Sequence, residues 1–291
     1  MSNDKTNMNY RELRQRLVPI YGEEEAKAIT LLVLDVRFNM SLTDVVSGKL
    51  ETLSPSENGD LERIWKRLEQ GEPVQYVLGQ ADFCGRVFRV NPSVLIPRPE
   101  TERLCEWIER DQNRPFCGLK PPAPLQVLDI GTGSGCIAVT LALDLWNREV
   151  TAWDISADAL IVARDNAHRL GAWVNFQQQD ILHAPDDPPL WDVIVSNPPY
   201  VCDRERAEMR RNVLDHEPAS ALFVPDDDPL LFYRAIAAYA HRTLKPYGAL
   251  YMEINPLFVS ELQELLRSLG FRSEVNRATE YENRMMKAAR I

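Results

Sequence analysis

The residues best suited to chemistry in this sequence form the loop Asn197-Pro198-Pro199-Tyr200, directly after a short apolar run. Each proline lacks an N–H and has a fixed φ, so the loop is stiff and its carbonyl groups point outward without partners. The Asn197 side chain adds another carbonyl oxygen, and two rigid acceptors can hold both protons of a planar NH2 group. Tyr200 offers a flat ring on which an amide or a base could stack. The alternative is a rigid turn that only closes a strand.

Such a loop suits the alkylation of a nitrogen whose lone pair is delocalised. An amide or aniline-like nitrogen is a poor nucleophile, and no ordinary side chain is basic enough to deprotonate it first. The protein must instead align this nitrogen with the group to be transferred and polarise its N–H bonds. Methyl transfer from a sulfonium is an in-line displacement that needs this alignment. A His or Cys nucleophile is therefore not expected in the motifs.

A second candidate site is the glycine-rich segment LQVLDIGTGSGCI, residues 125–137. Gly131, Gly133 and Gly135 follow a buried type of strand and precede a helical stretch at 136–146, which places the loop at the carboxyl edge of a sheet. Glycines permit positive φ and let a ligand touch bare backbone. The spacing is GxGxG, whereas the usual dinucleotide fingerprint is GxGxxG. We expect nucleotide-type binding here, and the alternative is a structural turn.

Two acidic residues follow later strands. Asp154 lies 23 residues beyond Gly131, where an acid can bind both hydroxyls of a ribose, and the alternative is an ordinary turn residue. Asp180 could accept a hydrogen bond from the exocyclic amine of an adenine, and Ile181 could pack on the ring. The alternative for this pair is a plain loop.

These motifs require a sheet that brings the strand ends together. From about residue 124, helical patterns alternate with apolar runs, and these runs end near Asp129, Asp154, Gln178, Ser196 and Glu253. This alternation predicts an α/β domain whose parallel sheet has helices on both faces.

The first part of the chain has a different pattern. Leu13, Leu17 and Ile20 recur at helical spacing within a helical region over residues 8–70. The pattern predicts helices over 23–38 and 60–70, a loop over 54–60, a hairpin with strands at 74–78 and 86–90, and a connector stiffened by Pro92, Pro97 and Pro99.

The composition excludes several classes of protein. The 291 residues include 33 Lys and Arg against 43 Asp and Glu, and both the first 73 residues and the remainder are net acidic, which argues against direct binding of nucleic acid. The five cysteines form no CxxC pair and the four histidines are dispersed, so we expect no disulfide framework, no metal site and a reducing, cytoplasmic compartment. No uncharged run reaches the length of a membrane span, and the N-terminus lacks the apolar region of a signal peptide.

Together the motifs resemble the class I methyltransferases that use S-adenosyl-L-methionine. The resemblance is specifically to the HemK/PrmC family, the glutamine-N5 methyltransferases of peptide chain release factors. The shared core is VLDIGTGSG at 127–135, Asp154 with the Ile-Ser that follows it, and NPPY at 197–200. Two upstream stretches narrow the match, since EPVQYVLG at 72–79 resembles the family's EPxQYxxG and 96–102 resembles its IPRPETE segment.

This resemblance implies a Rossmann-like, mostly parallel seven-stranded sheet. It also implies three regions: an N-terminal helical substrate-recognition domain over 1–73, a β-hairpin linker over 74–100 and a methyltransferase domain over 101–291. The implied reaction moves a methyl group from S-adenosyl-L-methionine to the glutamine N5 of the Gly-Gly-Gln loop in class I release factors. That reaction leaves S-adenosyl-L-homocysteine and modulates translation termination.

The resemblance also implies roles for individual residues. Those expected to hold the cofactor are Gly131, Thr132, Gly133, Ser134, Gly135, Asp154, Asp180, Ile181 and Asn197. Those expected to bind the substrate amide are Asn197, Pro198, Pro199 and Tyr200. Of these, Asn197 and the Pro198 carbonyl would grip the amide and Tyr200 would stack on it, so the three are the expected catalytic residues.

Two segments depart from the family pattern, and three rival functions remain. Residues 219–229 lack the usual Gly-rich stretch, and Asn255 lies just after Glu253, where a glycine is usual. We expect these segments to border the site, so the resemblance determines partner affinity less well than it determines the chemistry. An adenine-N6 methyltransferase acting on DNA or RNA can share NPPY, but it should carry a basic groove. A scaffold that only binds the cofactor would not need Asn197 and Tyr200, and a nicotinamide oxidoreductase would not use GxGxG spacing.

Overall fold

The computed structural model describes residues 9–113, 123–276 and 284–291; the first eight residues of the predicted helical domain, and Cys117, lie outside these ranges. The helices are α1 (Tyr10–Tyr21), α2 (Glu23–Phe38), α3 (Leu42–Val46), α4 (Pro55–Glu69), α5 (Val74–Leu78), α6 (Pro99–Gln112), α7 (Cys136–Asp144), α8 (Ala157–Leu170), α9 (Arg211–His216), α10 (Leu231–Thr243) and α11 (Val259–Ser268). The strands are β1 (Gln80–Phe83), β2 (Arg86–Arg89), β3 (Leu125–Ile130), β4 (Arg148–Asp154), β5 (Val174–Gln178), β6 (Trp191–Ser196), β7 (Val201–Cys202), β8 (Phe223–Val224), β9 (Leu244–Glu253), β10 (Phe271–Val275) and β11 (Met285–Arg290).

The chain divides into two compact units. A helical unit comprises the residues up to Gln80 together with Arg210–His216, and a larger α/β unit comprises Ala81–Met209 and Glu217–Ile291. The segment containing α9 therefore belongs to the helical unit, although it lies far along the sequence.

The helical unit has its own apolar core. Leu13 and Leu17 on α1 are fully buried, and so is Trp65 on α4, whose indole Nε1 donates a hydrogen bond to the Leu13 carbonyl at 2.9 Å. Arg16 adds ion pairs from α1 to two glutamates of α4. Ile20, which was predicted on the same apolar stripe, lies next to the end of α1 and is 44% exposed, so the buried stripe ends at Leu17.

The predicted loop over 54–60 is wrong, because α4 begins at Pro55. Ser54 is the N-cap residue, and its hydroxyl accepts a hydrogen bond from the Glu57 backbone N–H. The Glu57 carboxylate accepts in return from the Ser54 backbone N–H at 2.8 Å. Proline at the first helical position and this reciprocal pair are standard signals of a helix start, and here they outweigh the polar, glycine-containing composition.

The first strand of the predicted hairpin is also misplaced. Residues 74–78 form helix α5, which starts after Pro73 and ends at Gly79 in the left-handed conformation. A short apolar run does not by itself distinguish a strand from a helix, and here the proline and glycine on either side favour the helix. The hairpin consists of β1 and β2, joined through Cys84 and Gly85, both with positive φ. Pro99, which was predicted in a connector, is the first residue of α6.

A seven-stranded sheet forms the centre of the α/β unit, in the order β10-β11-β9-β6-β3-β4-β5. Neighbouring strands from β9 to β5 are parallel, and β11 runs antiparallel to both β9 and β10. The mostly parallel seven-stranded sheet is thus confirmed. The chain passes from β3 to β4 on one side and later returns to β6 on the other, so β3 and β6 flank the topological switch point where such folds bind ligands.

Helices cover both faces of this sheet. Val127 and Leu128 are adjacent on β3, and their side chains point to opposite faces. Val127 joins an apolar cluster that contains residues of α6 and α7, and Leu128 joins a cluster that contains residues of α10 and α11. Within the described ranges, no helix is both long enough and apolar enough to cross a membrane.

Ser54→Ala tests the start of α4. Losing the hydroxyl leaves the Glu57 N–H without its capping acceptor, so we expect the free energy of unfolding to fall by about 1 kcal/mol. Urea denaturation followed by circular dichroism measures the change. Ser56→Ala, in the first turn of the same helix, is the matched control, and an equal loss in both variants would contradict the capping role.

Candidate functional site

A cavity of about 400 Å³ lies at the carboxyl edge of the sheet in the α/β unit. The loops that follow β3, β4 and β6 line it, together with residues 93–98 and Thr101 from the start of α6. The predicted site residues that line it are Gly131, Thr132, Gly133, Ser134, Asp154, Asp180, Ile181, Asn197, Pro198 and Pro199. Gly135 and Tyr200, which were predicted with them, are not among the lining residues.

The glycine loop presents bare backbone at two positions. Gly131 and Gly133 have φ values of +75° and +54°, and a Cβ built at either one meets no atom within 4 Å. Gly135 has a different task, because a Cβ there would lie 3.1 Å from the Ala163 Cβ of α8. The first two glycines therefore leave open space beside the loop, and the third lets the loop pack closely against a helix.

Asp154 ends β4 with its carboxylate held from both sides. One oxygen accepts a hydrogen bond from the Gly133 N–H at 2.8 Å, and the other accepts from the Ser156 N–H at 2.9 Å. Burial raises the pKa of Asp154 above its ordinary value, although these N–H groups favour the ionised form. Each oxygen keeps another lone pair, so the carboxylate can still accept from two neighbouring hydroxyl groups of a ligand.

Asp180 and Ile181 lie at the opening of a short 3-10 turn on the cavity wall. The Asp180 carboxylate accepts a hydrogen bond from the Leu182 N–H at 2.9 Å and contacts the His183 Nδ1 at 2.7 Å. Both oxygens therefore already have a local partner, and a ligand amine would share one of them. Ile181 is half-buried and contributes apolar surface beside this carboxylate.

Asn197 follows β6 and lines the cavity, and the nitrogen of its side-chain amide is hydrogen-bonded within the protein. Its Nδ2 donates a hydrogen bond to the Thr101 hydroxyl at 3.1 Å, and that hydroxyl donates to the Glu253 carboxylate at 2.6 Å. Since the nitrogen faces Thr101, the amide oxygen is the group that Asn197 can offer to a ligand as an acceptor.

Tyr200, at the other end of the loop, is anchored away from the cavity. Its hydroxyl donates to the second oxygen of Glu253 at 2.8 Å, and its ring packs against the apolar cluster that contains α10 and α11. Burial and the adjacent Glu253 carboxylate raise the pKa of Tyr200 well above its ordinary value, so the phenol is neutral. The stacking role of Tyr200 stays a prediction.

Four buried polar residues that hold this site together are not among the site residues predicted from the sequence. Thr101, Glu253 and Asn255 are buried beside the 197–200 loop, and Asp129 is buried beneath the glycine loop. In the sequence, Thr101 lies inside the IPRPETE segment, Asp129 and Glu253 lie near the ends of apolar runs, and Asn255 is a departure from the family pattern. Asp129, Glu253 and Asn255 share one signal, which is a polar residue at or just beyond the end of a buried strand at the carboxyl edge.

Asp129 is fully buried, and its two oxygens differ in their surroundings. One accepts from the Thr132 hydroxyl at 2.7 Å and from the Ala138 backbone N–H at 3.1 Å, and the other has no hydrogen-bond partner among the residues that the structure describes. Burial raises the pKa of Asp129 to about 7, against the effect of these two donors. The described part of the chain supplies no donor that offsets the desolvation of this second oxygen.

An ion pair joins two segments of the cavity wall. The Arg98 guanidinium contacts the Glu217 carboxylate at 2.5 Å, and the Glu217 side chain is 1% exposed. The second carboxylate oxygen of Glu217 accepts from the Ile96 backbone N–H at 3.2 Å. Because Pro218, Ser220 and Ala221 line the cavity directly after Glu217, this pair ties the 219–229 segment to the IPRPETE segment.

Comparison with known proteins finds relatives along most of the chain. The family described as PrmC N-terminal domain matches residues 10–79, and the family described as Methyltransferase small domain matches residues 118–220. The release factor glutamine methyltransferase of Bacteroides thetaiotaomicron is 45% identical over 261 residues, which are 89% of this chain and 91% of that protein. The protein of the same name from Flavobacterium psychrophilum is 41% identical over 96% of this chain and 97% of its own length. The resemblance seen in the motifs is thereby confirmed.

Asp129→Asn tests the buried carboxyl. The pKa of an exposed Asp is near 4, and the pKa of Asp129 in the folded protein is about 7. The stability that this carboxyl group contributes is therefore present in full below about pH 4 and is lost as the pH rises through about 7. Asparagine does not titrate, so the parent's advantage in unfolding free energy over the variant should shrink by about 1 kcal/mol per pH unit across that range.

Urea denaturation at several pH values measures this difference. Asp186→Asn, at a side chain that is 96% exposed, is the control with which the slope is compared. A difference between the parent and Asp129→Asn that does not change with pH would contradict the assignment.

Proposed function

The chain belongs to the release factor glutamine methyltransferase family, and from that premise we propose that it methylates the side-chain amide N5 of a glutamine in peptide chain release factors. The acceptor is the glutamine of the Gly-Gly-Gln loop in class I release factors, and the donor is S-adenosyl-L-methionine. The observation that carries this proposal is the Asn197 amide, which is held with its oxygen available to the same cavity that the glycine loop lines.

The cavity wall fits S-adenosyl-L-methionine in three respects. The backbone at Gly131 and Gly133 is open enough for a ligand to lie against it. The Asp154 carboxylate has two free lone pairs for the vicinal hydroxyls of a ribose, and Asp180 with Ile181 offers an acceptor and an apolar surface for an adenine. Thr132 and Ser134 lie on the same wall, and when bound there the cofactor supplies a methyl group on a sulfonium centre.

The 197–200 loop fits the glutamine amide. The Asn197 oxygen and the Pro198 carbonyl are the two acceptors for the N–H protons, and Pro199 fixes the backbone between them and the ring of Tyr200. Holding both N–H bonds orients the nitrogen lone pair and draws electron density toward that nitrogen. The residues thus supply alignment rather than a base. The new N–C bond would form as the methyl–sulfur bond of the donor breaks, and the surplus proton on the nitrogen would then pass to solvent.

We also propose that the helical unit helps to recognise the release factor. The sequence of the helical unit matches a family of its own, and none of the described residues that line the cavity belongs to this unit.

The net charge of −10 argues against direct binding of nucleic acid. Cys84, Cys105, Cys136 and Cys202 are free thiols, which suits the reducing cytoplasm where translation takes place.

Methylation of a purified release factor with labelled S-adenosyl-L-methionine tests this function. We expect mass spectrometry to place one methyl group on the glutamine of the Gly-Gly-Gln loop, and replacing that glutamine with asparagine should remove the label. Duplex DNA and structured RNA are assayed in parallel. Label that enters nucleic acid, but not the release factor, would overturn the proposal in favour of an adenine-N6 methyltransferase.

Two substitutions should separate chemistry from cofactor binding. Asn197→Ala removes one of the two acceptors, so kcat should fall by about a hundredfold to a thousandfold while the Kd for S-adenosyl-L-methionine changes less than about twofold. Gly133→Ala places a methyl group in the open space beside the loop, so that Kd should rise by about tenfold or more.

Isothermal titration measures the cofactor Kd, and single-turnover labelling measures transfer. Gly171→Ala is the matched control for Gly133→Ala, because Gly171 also has positive φ, at +74°, and lies outside the cavity wall. Parallel losses of binding and transfer in Asn197→Ala would refute the division of roles.

A further inference from the structure

We propose that Glu253 and Thr101 are positioning residues that determine which atom of the Asn197 amide faces the substrate. This inference rests on the proposed function, because the proposed reaction requires an acceptor at Asn197. A buried hydrogen-bond relay keeps the Asn197 oxygen available as that acceptor. The relay runs from the Glu253 carboxylate through the Thr101 hydroxyl to the Asn197 nitrogen.

The relay is buried at its base and reaches the cavity at its tip. Glu253 is the last residue of β9 and is 1% exposed, and Thr101, in the first turn of α6, is 2% exposed. Asn197 is less buried and lines the cavity. The three side chains come from elements separated by up to 152 residues in sequence, and they are joined by hydrogen bonds of 2.6 and 3.1 Å.

The chemistry of the three groups fixes the direction of these bonds. An ionised carboxylate can only accept hydrogen bonds, so the Thr101 hydroxyl must donate its single proton in the hydrogen bond to Glu253. The Thr101 oxygen can then only accept from Asn197, and the group that donates is the NH2. The Asn197 carbonyl oxygen is consequently left for the cavity, where a glutamine N–H needs an acceptor.

The same carboxylate also anchors the other end of the loop. Its second oxygen accepts from the Tyr200 hydroxyl at 2.8 Å, so one buried charge holds the first and last residues of the NPPY sequence. Asn255 supports this end, since its Nδ2 donates to the Tyr200 carbonyl at 3.0 Å and to Glu205 at 3.1 Å. The asparagine that replaces the usual family glycine thus has a structural task in this chain.

Protonation of Glu253 would reverse the relay. A neutral carboxyl can donate to Thr101, which would then donate to Asn197 and turn the amide so that its NH2 faces the cavity. The groups facing the Glu253 carboxyl are the hydroxyls of Thr101 and Tyr200, the Glu100 carboxylate and the Arg284 guanidinium. The Tyr233 hydroxyl donates instead to the backbone carbonyl of Glu253. Burial raises the pKa of Glu253 above that of an exposed glutamate, so this reversal begins at a higher pH than it would in water.

Substitutions at Thr101 test the relay by kinetics. Thr101→Val keeps the side-chain shape but removes both hydrogen bonds, so kcat should fall on the order of tenfold to a hundredfold while the cofactor Kd stays within about twofold. Thr101→Ser restores the hydroxyl and should recover kcat to within about threefold of the parent. Thr243→Val, at another fully buried threonine whose hydroxyl donates to the Tyr239 carbonyl, controls for loss of a buried hydroxyl.

A spectroscopic measurement tests the relay without catalysis. The side-chain NH2 resonances of Asn197, assigned by their loss in Asn197→Ala, should shift in Thr101→Val and return in Thr101→Ser. In the parent they should also shift on acidification, together with an acid limb in kcat. At neutral pH, Glu253→Gln should shift these resonances as acidification does in the parent, because the glutamine amide no longer requires the Thr101 hydroxyl to donate. Thermal unfolding shows whether the Glu253→Gln variant is folded.

The outcomes distinguish this inference from the proposed function. Unchanged Asn197 resonances in Thr101→Val, or a Thr101→Ser variant as impaired as Thr101→Val, would overturn the relay. If the resonances respond as expected but the parent transfers no methyl group to a release-factor glutamine, the relay stands and the proposed function fails.

Discussion

Parallel strands in one sheet end at the same edge, and the site in this protein depends on that constraint. The glycine loop and the NPPY loop directly follow β3 and β6, and Asp154 ends β4. These three strands are neighbours in the sheet, although the residues they position span about 70 places in the sequence. The chain reverses its strand order between β3 and β6, which leaves a crevice rather than a packed crossover at that point. The cavity is therefore a product of topology, and the loops supply its chemistry.

At this edge of the sheet, the buried Glu253 carboxylate makes the NPPY loop rigid. Burying a charge is costly unless hydrogen bonds replace the water that is lost, and here the hydroxyls of Thr101 and Tyr200 do so. Both donors are neutral, so they leave the charge in place while fixing its geometry. A loop held at two points presents its acceptors in one arrangement, which a poorly nucleophilic amide nitrogen requires.

The two units of the chain are stabilised in different ways. The helical unit relies on an apolar core around Trp65, with Arg16 pairing to glutamates of α4 at its surface, and partly exposed pairs of this kind contribute little to stability. The α/β unit buries apolar clusters on both faces of its sheet, and several of its buried polar residues, Asp129, Glu253 and Asn255 among them, lie at the carboxyl edge. The buried polar residues at this edge orient groups that line the cavity.

The sequence by itself determined the class of fold, the residues of the two loops that line the cavity, and the chemistry those residues suit, because strand-end glycines and an NPPY loop are local patterns. The predictions of a loop at residues 54–60 and of a strand at 74–78 were wrong, because they relied on composition. At both places the residues that flank and cap the segment determine that it forms a helix. Only the tertiary structure showed that Thr101, Glu253 and Asn197 share one relay and that Tyr200 is anchored by the same carboxylate. Contacts between residues 96 to 152 positions apart arise from strand order and helix packing, which no local spacing encodes.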